Sequence, residues 1–391
     1  MTPETAATSG PAPGRVPVPG QVPAPSVTAR DLRRAVDEGR RLSDAEALFA
    51  LTSMPLLELG DLAQEVRFRK VPEKRVTYVI DSNPNYTNVC TVDCTFCAFY
   101  RKPSYVGEDV YTLTLEQVME HFERARQYGC TTVLLQGGLN PTIPWDFYPT
   151  LVRTVRERYP DITPHFFSAP EIQQMVEVSG MDIRGVLSAL RDAGQVSLPG
   201  GGAEILSERV RKRISPKKGG PETWLDVHQV AHEVGLRSTA TMMYGHVETP
   251  EDVLEHLVSI RALQDKAHAD GNLGFTAFVP WSYKRDNTPL RKWVPRNAGP
   301  ARYLRTLAAS RLILDNFDHV QATWFSEGKK TGQVSLHFGA DDFGGTLFEE
   351  NVHKATGHVN MTTVEETRTL IKESGFEPAQ RSTLYEILAT G

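Results

Sequence analysis

Arg75-Val-Thr-Tyr-Val-Ile80 leads directly into a long segment, 81–113, that carries Cys90-Thr-Val-Asp-Cys94-Thr-Phe-Cys97. The first six residues, rich in β-branched and aromatic side chains, read as a strand. The segment behind them is too long for an ordinary connection in a compact domain, so it reads as functional. Its cysteines follow a C-x3-C-x2-C spacing with Phe96 just before the last sulfur.

Working outward from that strand, similar β-rich runs recur at 132–136, 163–168, 195–198, 238–244, 274–280, 319–325 and 333–338. Helical patterns separate most of them. Thr114-Leu-Glu-Gln117 is a capping box, followed by Val118, Met119, Phe122 and Ala125 on one face. Thr249-Pro250-Glu251-Asp252 combines a cap, a proline at the first helical position and acids in the first turn. Ser43-Asp-Ala-Glu46 opens another helix, and Leu56, Leu59, Leu62 and Val66 follow at helical spacing. Eight strands and their helices over about 270 residues match an α/β fold of the (β/α)8 TIM type. A doubly wound open sheet has the same alternation. The expected organisation is a disordered Pro-rich tail (1–29), an N-terminal helical segment (30–74), the barrel (75–345) and a C-terminal helical extension (346–391).

The chain has 391 residues, 40% hydrophobic and 23% charged, with a net charge of −5. This charge gives no electrostatic case for binding nucleic acid. No apolar run approaches the length of a membrane span. The N-terminus lacks the apolar core of a signal peptide, and four cysteines suit a reducing cytoplasm.

Three thiolates can hold three irons of a 4Fe–4S cluster and leave the fourth open to a non-protein ligand. A structural zinc site normally draws on two separated ligand clusters, and no second pair exists. A disulfide reading fails because the three clustered cysteines leave one over. An electron-transfer cluster wants a fourth cysteine, and Cys130 is the only other one. The barrel would place its site at the C-terminal ends of the strands. There the chain reads Gln136-Gly137-Gly138 and Pro199-Gly200-Gly201-Gly202-Ala203-Glu204, glycines that let backbone approach a ligand. Glu204 suits a hydroxyl or amine contact, or a helix N-terminus. Arg209, Arg211, Lys212, Arg213, Lys217 and Lys218 form a basic run, read as a solvated face or as holding an arginine fork for a carboxylate. His228 and His232 read as a solvated helix face.

The cysteine spacing resembles that of the radical S-adenosylmethionine superfamily. Asn85-Tyr-Thr-Asn88, Pro199-Gly-Gly-Gly-Ala-Glu204, Ala240-Thr-Met-Met-Tyr-Gly-His246, Gly274-Phe-Thr-Ala-Phe-Val-Pro-Trp281 and Pro378-Ala-Gln-Arg381-Ser-Thr-Leu-Tyr385 narrow the resemblance to the dehypoxanthine futalosine cyclases of menaquinone biosynthesis. The aminofutalosine synthases are the nearest alternative, and Leu336-His-Phe-Gly-Ala-Asp-Asp342 has their flavour. An iron–sulfur electron carrier is the non-enzymatic one. The resemblance implies a 4Fe–4S cluster on Cys90, Cys94 and Cys97, with S-adenosylmethionine beside Phe96, Tyr100, Gln136, Gly137, Gly138 and Glu204. It implies Arg213, Tyr244 and Trp281 at the substrate, and Glu204, His246 and Asp341 in catalysis. It further implies a low-potential donor such as flavodoxin or ferredoxin. A 5′-deoxyadenosyl radical would take the ribose C4′ hydrogen of dehypoxanthine futalosine, and the ribose radical would close onto the benzoate ring.

Overall fold

The computed structural model describes residues 27–349, 351–357 and 360–390. The expected tail lies outside these residues as far as residue 26, and Thr28 already caps the first helix, Ala29–Asp37. Two more helices, Asp44–Thr52 and Leu56–Lys70, precede the sheet. The Ser43 box forms as the sequence suggests: the Ser43 N–H donates to Glu46 Oε2 at 2.8 Å. Such caps hold a helix end by about 1 kcal/mol. Arg67, fully buried, ties the third helix to the sheet by donating to the carbonyls of Val71 (2.7 Å), Glu73 (2.8 Å) and Arg75.

Among the described residues eleven strands follow in chain order. They are β1 (Arg75–Val79), β2 (Asp81–Ser82), β3 (Thr132–Leu135), β4 (Thr163–Phe166), β5 (Ser197–Leu198) and β6 (Arg237–Tyr244). Then come β7 (Phe275–Ser282), β8 (His319–Val320), β9 (Asp342–Gly345), β10 (Glu377–Arg381) and β11 (Ile387–Thr390). Strands β2 to β8 pair in order as one parallel sheet, and β11-β10-β1-β9 form a second. The two sheets join at both ends. β1 continues through Ile80 into β2, and a bridge pairs Gln321, just after β8, with Asp342 of β9. The result is a barrel of the expected α/β type. Val133, Leu135, Phe166, Leu198 and Met243 are buried in the core between sheet and helices.

Two readings change. Residues 333–338 were expected as the eighth strand, yet the helix Lys329–Ser335 takes the first half of them and a turn the rest. Gly332 lets that helix lie on Trp324: a Cβ there would come within 2.7 Å of the Trp324 Cβ. The eighth strand is instead β9, Asp-Phe-Gly-Gly, which has neither alternation nor β-branched residues. Residues 321–325 also leave the strand expected for them, since β8 stops at Val320 and a short helix starts at Trp324. The C-terminal extension carries a helix, Val364–Glu373, and adds β10 and β11 beyond it. β10 runs parallel to β1, from Arg75 opposite Glu377 to Tyr78 opposite Gln380. Above that level β2 turns to β3, with Asp81 opposite Thr132.

His228 and His232 are buried, not solvated. Both reach the Ser238 hydroxyl, at 2.9 and 2.8 Å, and the His228 ring lies 3.9 Å from that of Trp224. Burial holds both imidazoles well below their usual range and so neutral.

Candidate active site

The cysteine loop is stitched to three neighbours at the barrel mouth. On one side the Thr91 N–H donates to the Leu139 carbonyl (3.0 Å) and the Gly138 N–H to the Thr87 carbonyl (2.9 Å). On another the Thr95 N–H reaches the Ile214 carbonyl at 2.8 Å. On the third the Leu290 N–H reaches the Thr95 carbonyl at 2.8 Å. Gly138 is required by this packing, because a Cβ would come within 2.2 Å of the Val89 carbonyl oxygen. The Gly137 N–H donates to Glu171 at 2.9 Å, and the Tyr86 hydroxyl donates to the same oxygen at 2.7 Å. Glu171 is therefore a buried organiser of the β3 end that sequence reasoning missed. Its signal was the capping box Ser168-Ala-Pro-Glu171.

Cys94 is buried and Cys90 and Cys97 are partly so, with none in a disulfide. Burial pushes the Cys94 thiol up to about 12, opposed by the charge of Lys218. The Lys218 ammonium is buried 2.8 Å from Glu204 and stands 5.4 Å from the centre of the Phe96 ring. Burial works against its charge, and Cys94 and Glu204 more than offset that. Among the described residues no three His, Cys, Asp or Glu side chains converge on one metal ion. This donor set suits a cluster, in which each thiolate takes its own iron, better than a single zinc. A nearby lysine also favours the thiolate form that iron needs. Cys130 does not join the triad. It is buried in the core, and its charged neighbours are Asp81 and Glu349.

The basic run separates residue by residue. Arg211, fully buried, donates to the carbonyls of Gly202 (3.0 Å), Ala203 (2.9 Å) and Gly219 (3.0 Å), and so fixes the glycine-rich turn. Arg209 forks onto Asp252. Lys212 pairs with Glu208 and Lys217 with Asp93. Only Lys218 faces the site. Glu204 itself sits at φ +47°, a left-handed conformation that a non-glycine residue adopts at a cost.

A cavity of about 240 Å³ opens beneath this mouth. Gln136, Gly200, Gly201, Gly202, Glu204 and Trp281 line it, with Asp81 below them and Arg381, Thr383 and Tyr385 toward the floor. Gly201 must be bare because a Cβ would lie 2.2 Å from Gln136 Nε2. Tyr100 stands within charge range of the three cysteines, and burial raises its hydroxyl pKa.

Four expected residues fall elsewhere. Arg213 is exposed, with its guanidinium 5.5 Å over the Trp293 ring. Tyr244 is buried at the end of β6 outside the cavity lining, under Arg302. The His246 side chain is fully enclosed, with Nε2 at 2.9 Å from the Met243 carbonyl and Nδ1 at 3.2 Å from Glu248. Asp341 lies before β9, at the opposite end of the barrel from the cysteine loop. It pairs there with Arg311 and, at 2.5 Å, with His319.

Arg381 belongs to the Pro378–Tyr385 stretch that carries the family resemblance. In the structure it ends β10, pairs with Asp342 and stands 4.0 Å from the centre of the Tyr385 ring.

Two family profiles match this chain: "Radical SAM superfamily" over residues 84–260 and "CofH/MqnC C-terminal region" over 272–390. Cyclic dehypoxanthine futalosine synthase of Halalkalibacterium halodurans is 39% identical, over 92% of this chain and 94% of its own length. Aminodeoxyfutalosine synthase of Streptomyces coelicolor is 36% identical over the same shares. An archaeal 5-amino-6-(D-ribitylamino)uracil–L-tyrosine 4-hydroxyphenyl transferase, from Methanopyrus kandleri, is 39% identical over 83% of this chain and 87% of its own. The solved structure of the maturase HydG covers 90% of the chain at a TM-score of 0.70 and 15% identity, with 77% of its own length matched. A parallel barrel carrying a three-cysteine loop on its first strand is thus a radical S-adenosylmethionine enzyme, using a 4Fe–4S cluster and S-adenosylmethionine. Within that superfamily the chain belongs to the CofH/MqnC group, which holds the futalosine-pathway synthases.

Proposed function

We propose that this enzyme cyclises dehypoxanthine futalosine to cyclic dehypoxanthinylfutalosine in menaquinone biosynthesis. One observation carries the choice among related reactions. The Trp281 strand end and the Arg381–Tyr385 segment, two of the stretches that carry the cyclase resemblance, line one cavity together with Gly200–Gly202. The likeness to the Halalkalibacterium enzyme supports the same reading.

Cys90, Cys94 and Cys97 would hold the cluster. Gln136, the glycines at 137 and 138, Phe96, Tyr100 and Glu204 would border the S-adenosylmethionine. When bound, this pair of groups supplies a 5′-deoxyadenosyl radical. The net change in the substrate is loss of the ribose C4′ hydrogen and one ring hydrogen, with a carbon–carbon bond formed between them. Trp281 walls the cavity and keeps water from the reacting sugar. Lys218 fixes Glu204 at the rim by their ion pair. The barrel, 75–345, is the catalytic unit, flanked by 30–74 and 346–391. A low-potential carrier such as flavodoxin or ferredoxin would supply the electron, and the cytoplasm would be the compartment. Among the described residues no helix is long and apolar enough to cross a membrane.

The test is an anaerobic turnover of iron-reconstituted protein with dithionite, S-adenosylmethionine and dehypoxanthine futalosine. The expected product is two hydrogens lighter than the substrate and appears with 5′-deoxyadenosine. If 5′-deoxyadenosine appears without that product, the cyclase reading falls. The enolpyruvyl benzoate of the aminofutalosine synthases is then the substrate to try.

A further inference from the structure

Among the described residues, one acid in the cavity wall makes no ion pair. Asp81 opens β2, is buried, and lines the cavity between floor and mouth. Its Oδ1 accepts the Leu347 N–H at 2.8 Å. Leu347 holds φ +49°, so the chain takes a costly conformation to aim that N–H. Among the described residues no other residue donates a hydrogen bond to Oδ2, and the carboxylate's further donor is its own backbone N–H. Gly345 leaves the space that Oδ2 occupies, since a Cβ there would come within 2.1 Å of it. The neighbouring carboxylates are already engaged: Glu204 by Lys218, and Asp342 by Arg381 and the Thr77 hydroxyl (2.6 Å). Burial pushes the Asp81 carboxyl up to about 6, and Arg381 offsets this only in part. A buried acceptor with an open lone pair calls for a hydrogen-bond donor.

We infer that Asp81 grips the sugar hydroxyls of the substrate through Oδ2. This rests on the proposed cyclase function. A hydroxyl donates to Oδ2 and stays neutral, whereas the benzoate carboxylate of the same substrate is repelled from it. Asp81 therefore sets which end of the substrate lies against β2 and holds the ribose in place for loss of its C4′ hydrogen. It is a substrate-positioning residue, and sites built to bond a hydroxyl reject analogues that lack it.

The test is anaerobic titration calorimetry on cluster-loaded protein with S-adenosylmethionine and no reductant, so that binding is read without turnover. The ligands are dehypoxanthine futalosine and its analogue without the ribose 2′ and 3′ hydroxyls. The wild type is expected to bind the analogue about tenfold to a hundredfold more weakly. Asp81→Asn is expected to bind both ligands equally and weakly, and Asp81→Ser carries the same expectation should the Asn protein fail to fold. Equal binding of both ligands by the wild type overturns the inference, as does undiminished discrimination in the variants. Failure of the wild type to bind dehypoxanthine futalosine at all overturns the proposed function, and the inference with it.

Discussion

The mouth of the cavity and the barrel floor beneath the cavity are built in opposite ways. At the mouth the wall is mostly glycine, Gln136 and Trp281, and Lys218 there pairs with Glu204. At the floor almost every charge is spent. Arg381 holds Asp342, Arg311 holds Asp341, and the His319 and Tyr385 rings stack 3.8 Å apart. The mouth keeps bare backbone and room, as a ligand site does. The floor closes the barrel, using a C-terminal strand that the sheet pairing alone did not require. Asp81 is the exception between them, a buried acid left with an open oxygen.

The contrast can be broken at either end. Cys94→Ala has the largest expected effect: all turnover and the cluster's visible absorbance are lost, while circular dichroism and melting show a folded barrel. A simultaneous collapse of the fold would make the loop part of the scaffold. At the floor, Arg381→Met leaves Asp342 buried without its cation and should cost about 3–5 kcal/mol in urea unfolding. Adding Asp342→Leu should recover much of that loss, and a double variant no better than the single one would deny the pairing its role.

Acid should also act first on the floor. Burial would raise the Asp341 pKa, but Arg311 and His319 hold it at about 2, below the usual 3.8. A depressed folded pKa contributes stability above the unfolded value, and that stability fades as pH falls from about 4 toward 2. The acid limb of the stability curve should flatten by about 2 kcal/mol in Asp341→Asn. An unchanged limb would mean that Asp341 titrates alike in both states. At the mouth, Trp281→Ala should release 5′-deoxyadenosine without cyclic product, lowering the coupling ratio by about tenfold, a barrier change of about 1.4 kcal/mol. Normal coupling would make Trp281 ordinary packing. The smallest effect is expected outside the cavity. Arg213→Ala should cost about 0.5–1 kcal/mol through its contact with Trp293 and leave coupling untouched.

Much of the mouth was legible because its chemistry is local in the chain. Three cysteines within one turn of loop and two glycine runs at strand ends declare themselves by spacing. The capping boxes at Ser43, Thr114 and Thr249 were legible for the same reason, since each bond spans three residues. The floor was not legible. Arg381 and Asp342 are far apart in sequence, and nothing near either one names its partner. β9 has polar and glycine residues and no strand pattern, whereas the run at 333–338 carries such a pattern and begins in a helix. Short strands buried in a barrel are held by their neighbours more than by propensity.

By itself the sequence determined the cofactor chemistry and the α/β barrel, because cluster ligation and helix–strand periodicity are written at short range. Only the tertiary structure decided which charged groups share a space. It placed Arg213, His246 and Asp341 away from the cavity, and it brought Asp81, Arg381 and Tyr385 into it. The physical reason is that burial and ion pairing depend on which side chains meet after the chain has closed on itself, and the residues that meet here are far apart in the sequence.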